Sequence, residues 1–73
     1  MKKQSKKEKA IERAIESYPD FNTQRKARSF ARGYVDRIWI LRGPAKYRSH
    51  FLVVGENYAI RLKKIGFRPV EVL

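Results

Sequence analysis

Apolar residues first recur at Ala10, Ile11, Ala14, Ile15 and Tyr18, three and four positions apart, which gathers them on one face of a helix and leaves charges on the other. Ser5 followed by Glu8 is a capping box ahead of that run, and Pro19 with Asp20 ends it. Glu8, Glu12 and Glu16 repeat like charges four apart, as do Lys9 and Arg13, so this helix depends on the packing of its apolar stripe. A second helix is expected from a cap at Asn22 or Thr23 through Gln24, Ala27, Phe30 and Ala31, with Gly33 placed for a left-handed residue after the last turn.

From Tyr34 the pattern changes to alternation, and Ile38, Trp39, Ile40 and Leu41 are strand formers. A strand over 34–41, a turn at Arg42, Gly43 and Pro44 and a second strand over 47–54 make a β-hairpin around residues 43–46. Phe51 and Val53 fall on one face of the second strand and Leu52 and Val54 on the other. Ala31, Tyr34, Val35 and Ile38 also fit a helical period, so continuation of the second helix to Leu41 is the competing reading; the strand is preferred. Gly55, Glu56 and Asn57 open a short third helix carrying Ala59, Ile60, Lys63 and Lys64, with Gly66 as its left-handed cap. Residues 67–72 alternate as a last strand, which Pro69 confines to a sheet edge.

These elements specify an α+β fold: one domain over residues 8–73, its two N-terminal helices packed on a small, mainly antiparallel sheet with a short third helix, behind a basic disordered arm over residues 1–7. At 73 residues there is room for one domain, and 42% apolar composition is enough to build its core. Cysteine is absent, so packing alone must stabilise the fold. His50 cannot build a metal site by itself and is expected to hydrogen-bond locally in the hairpin. The acids show no paired spacing and there is no phosphate-binding glycine loop, so the chain is expected to be a non-enzyme without cofactor. MKKQSKK is followed by no apolar segment and no run approaches a membrane span, which points to the cytosol and to a chain that binds no membrane.

Charge is what bears on function. Eighteen Lys and Arg face seven Asp and Glu, a net charge of +11 that speeds encounter with any acidic macromolecule. Arg25, Arg28 and Arg32 form a basic stripe on the second helix, and Lys46, Tyr47 and Arg48 follow the hairpin turn. Together with Trp39 these are the candidate partner-binding residues, because Arg, Tyr and Trp dominate protein interfaces. Interleaving of Arg with aromatics also suits nucleic acid, although Phe30, Trp39 and Phe51 are expected first of all in the core.

The chain as a whole, and the string RKARSFARGYVDRIWILRGPAKYRSHFLVV in particular, resembles the small host RNA polymerase-binding transcription regulators of lytic Xanthomonas bacteriophages. The resemblance implies a monomer in the bacterial host cytoplasm that docks on the N-terminal region of the polymerase β′ subunit near the β flap. It also implies interference with σ factor and promoter recognition, and suppression of termination. A small basic DNA- or RNA-binding module is the alternative.

Overall fold

The computed structural model describes residues 6–73. Its elements are α1 (Lys6–Ser17), β1 (Asp20–Phe21), α2 (Gln24–Ala31), β2 (Ile38–Arg42), a 3-10 turn (Ala45–Tyr47), β3 (Phe51–Gly55), α3 (Glu56–Lys64) and β4 (Arg68–Val72). Four strands form one antiparallel sheet in the order β1-β3-β2-β4, which confirms the α+β class. Ser5 and most of the expected arm lie outside the described residues, while Lys6 and Lys7 belong to α1.

Period-two alternation decides the layering. Leu41, Leu52 and Val54 face α1 and α3, where they pack with Ile11, Ala14, Leu62 and Phe67. Ile38, Ile40, Phe51 and Val53 face α2, where they meet Ala27 and Ala31. The two N-terminal helices therefore lie on opposite faces of the sheet, and the core is split in two by it. Ile40, Leu41 and Leu52 are its largest fully buried side chains.

Helix ends follow local chemistry. The Thr23 hydroxyl accepts from the Lys26 amide at 3.1 Å and caps α2. The left-handed cap expected at Gly33 does not form: the amides of Gly33 and Tyr34 bond back three residues to the carbonyls of Phe30 and Ala31, and this tighter turn closes the helix. Gly66 does take a positive φ of 111°. Its amide bonds to Lys63 and that of Phe67 to Leu62, a Schellman motif whose hydrophobic contact is the burial of Phe67 and Leu62 together.

Two sequence expectations are corrected. The first strand begins at Ile38, not Tyr34, because residues 34–37 are exposed and irregular; the helical alternative for 34–41 is excluded by β2. The hairpin turn is longer than 43–46, since Arg42 pairs with Phe51 and the loop runs over residues 43–50, leaving Tyr47 in the 3-10 turn. Pro44 has no amide to extend the ladder, and Gly43 packs so closely on Tyr47 that a Cβ would strike the Tyr47 carbonyl. At the far edge, β4 carries a bulge: Ile40 pairs with Glu71 and Leu41 with Pro69, leaving Val70 as the extra residue.

Candidate functional site

Placement of the candidate residues separates internal braces from free surface. Arg28 reaches from α2 to Glu71 on β4, its Nε 2.8 Å from Oε2 and its Nη2 2.9 Å from Oε1, while Gln24 Nε2 donates to Oε1 at 2.9 Å. These hydrogen bonds, Arg28 before Gln24, hold the Glu71 carboxyl below its ordinary value and raise Arg28 in turn. Lys46 pairs with Glu8 at 2.9 Å, and the Tyr47 hydroxyl donates to Glu12 at 2.7 Å. The Glu12 hydrogen bond, with burial behind it, raises the Tyr47 hydroxyl. His50 does not bond locally as expected; its Nδ1 lies 2.9 Å from Oδ2 of Asp20, whose strand β1 is paired with β3 just beyond the loop.

Four of the seven acids are thus used to tie elements together: Glu71 joins β4 to α2, Glu8 and Glu12 join α1 to the 43–50 loop, and Asp20 joins β1 to that loop. Of the candidates, Arg25, Arg32 and Arg48 are exposed with no ion pair among the described residues. Tyr47 is a core residue. Trp39 is half-buried against the α1–α3 core, and its indole N–H has no hydrogen-bond partner among the described residues.

Two features were not singled out from sequence. One is a ladder of aromatic rings on the α2 side: Phe21 and Phe30 lie 5.1 Å apart, and Phe30 and Tyr34 lie 5.4 Å apart edge to face. Phe30 is 40% exposed and Tyr34 49%, and the neighbouring Val35 is fully exposed. Phe30 is therefore surface, contrary to its expected place in the core; α2 lays Ala27 and Ala31 on the sheet and leaves the bulky ring at its border. Lys26 stands one helical turn before Phe30, whereas Arg25 and Arg32 lie on the opposite side of α2, with Arg28. Phe30, Tyr34 and Val35 thus form an exposed apolar patch with Lys26 at its border.

The other is a cleft of about 400 Å³ between the 43–50 loop and the start of β4. Arg42, Arg48 and Arg68 line it, together with the backbone of Gly43 and Gly66, and no carboxylate does. Arg42 and Arg68 are direct cross-strand partners. The Arg42 guanidinium lies 5.7 Å from the centre of the Phe51 ring, and its Nε donates to the Arg48 carbonyl at 3.0 Å.

Among the described residues no His, Cys, Asp or Glu cluster could hold a metal ion, and no helix is long and apolar enough to cross a membrane. Comparisons with protein-family models, with curated proteins and with solved structures give no match to this chain.

Proposed function

We propose that this protein is a phage-encoded regulator that docks on bacterial host RNA polymerase, at the β′ N-terminal region near the β flap, and acts by occupying surface and not by catalysis. In this reading it works in the host cytoplasm, interferes with σ and promoter recognition, and suppresses termination. The observation that carries the docking step is the Phe21–Phe30–Tyr34 ladder, whose last two rings are exposed, with Lys26 one helical turn from Phe30. Aromatic anchors that become desolvated supply affinity, and surrounding cations steer the approach to an acidic face. The resemblance of residues 25–54 to polymerase-binding phage regulators supplies the identity of that face.

A net charge of +11 supports the same reading, because a positive field steers the chain toward an acidic face. Capture of purified, nuclease-treated polymerase core by the tagged protein tests it. Retention of the β and β′ subunits, with loss of σ-dependent initiation on a promoter template, is expected; polymerase that elutes with the nuclease treatment contradicts it. The second reading, a nucleic-acid-binding module, is favoured by a different observation, the arginine-lined cleft.

A further inference from the structure

We infer that the cleft formed by Arg42, Arg48 and Arg68 is a binding subsite for one phosphodiester of a nucleic-acid strand. The fold places like charges together there without compensation. Arg42 and Arg68 stand directly opposite each other on β2 and β4, an arrangement that destabilises a sheet, and no described acid lies within ion-pair distance of either or of Arg48. A cleft walled by one sign of charge focuses the field into itself and invites an anion.

The cleft is also built to hold that anion. Arg42 is fixed at its Nε by the Arg48 carbonyl and lies over the Phe51 ring, so its remaining guanidinium N–H groups are presented in a set direction. Gly43 and Gly66 contribute backbone without side chains, which allows close approach, and both are required as glycine for reasons of packing or φ. Guanidinium groups bind phosphate oxygens bidentately.

The lining argues against an apolar protein anchor and against base readout, and leaves donors for a single anionic group. No aromatic or large aliphatic side chain lines the cleft, so it lacks the anchor that a protein interface centres on and the platform on which a base stacks. A phosphate contact needs only donors, and carries no sequence information. The subsite is therefore sequence-independent, and it is separate from the aromatic ladder used for docking.

The test is binding of a fluorescein-labelled single-stranded 12-nucleotide RNA of mixed sequence, read by anisotropy, with amide and Arg Nε–H spectra recorded in parallel. Spectral shifts are expected at Gly43, Gly66 and the three arginines. Arg48→Gln with Arg68→Gln is expected to weaken binding about tenfold and to make the salt slope shallower by roughly 0.7, the contribution of one phosphate on a single strand. Arg13→Gln with Arg61→Gln removes equal charge from the groove between α1 and α3 and is expected to change affinity about twofold or less. Arg68→Gln alone should raise Tm by relieving the pair with Arg42, which shows the fold intact. The proposal is overturned if the two double variants weaken binding equally, if the cleft resonances do not move, or if inorganic phosphate moves them and the RNA does not. Each of these results is independent of whether polymerase is bound.

Discussion

Arg28 of α2 and Glu71 of β4 meet in a two-pronged ion pair that closes one edge of the molecule, and the bulge at Val70 makes it reachable. Because Val70 is skipped, Glu71 stands opposite Ile40, on the side of the sheet that α2 covers. Arg28, a candidate for partner contact by its helical position, is thereby committed to holding the fold.

Acid should expose this commitment. Glu71 is held below its ordinary value of 4.5 by Arg28 first and Gln24 second, so its contribution to stability is present above that value and is lost as pH falls through the lower folded value. Thermal melts recorded over an acid series should show the parent losing Tm more steeply than Glu71→Gln, which starts lower and varies less. Parallel curves for the two proteins contradict the assignment.

Tyr47 makes the corresponding prediction at high pH. Its hydroxyl is raised above 10.0 by the hydrogen bond to Glu12. The contribution is complete below that ordinary value and disappears as pH rises through the folded one. Tyr47→Phe should lower Tm at neutral pH and remove the alkaline part of the pH dependence, leaving the ring in the core. Ultraviolet titration of the phenols gives the matching signal: one tyrosine fewer ionising late.

Backbone strain in the 43–50 loop is measurable. Ala45 has a φ of 47°, a left-handed conformation that costs a residue with a Cβ about 1 kcal/mol. Ala45→Gly should therefore be neutral to stabilising by up to about 1 kcal/mol despite glycine's greater unfolded entropy. Gly66→Ala should destabilise by roughly 1–2 kcal/mol, since its φ is 111° and the new Cβ would sit 3.2 Å from Pro44. Urea melts of both variants give the comparison.

Charge reversal at the start of α2 separates steering from anchoring. Arg25 and Lys26 are exposed and sit in the first turn, where acids suit the helix dipole. Arg25→Glu with Lys26→Glu should leave Tm unchanged or higher and slow association with polymerase about tenfold, with little change in dissociation. An unchanged association rate at low salt contradicts the steering role given to these two cations. Reversal of Arg28 is unsuitable for this purpose, because it removes the partner of Glu71.

Much of the fold was legible because it rests on short-range pattern. Alternation at Phe51, Leu52, Val53 and Val54 assigned each side chain to the correct face, and Pro69 correctly marked an edge strand. What was not legible depends on contacts far apart in sequence. Nothing near Lys46 or Tyr47 announces that α1 supplies Glu8 and Glu12 as their partners. Arg42 and Arg68 become neighbours only through the register of β2 with β4. The helical period placed Phe30 beside Ala27 and Ala31, yet it cannot say where the sheet stops, and Phe30 falls at the border.

The most direct test of the account is the affinity of purified bacterial RNA polymerase core for the protein carrying Phe30→Ala with Tyr34→Ala, measured by interferometry after nuclease treatment and with the variant shown folded by its amide spectrum. Both rings are exposed in part and lie in contact with each other, so their joint removal takes away the proposed anchor. Anchors of this kind are worth about 2 kcal/mol or more each, so the account predicts a loss of at least about 30-fold, expressed mainly in faster dissociation. Binding and inhibition equal to those of the parent would contradict it.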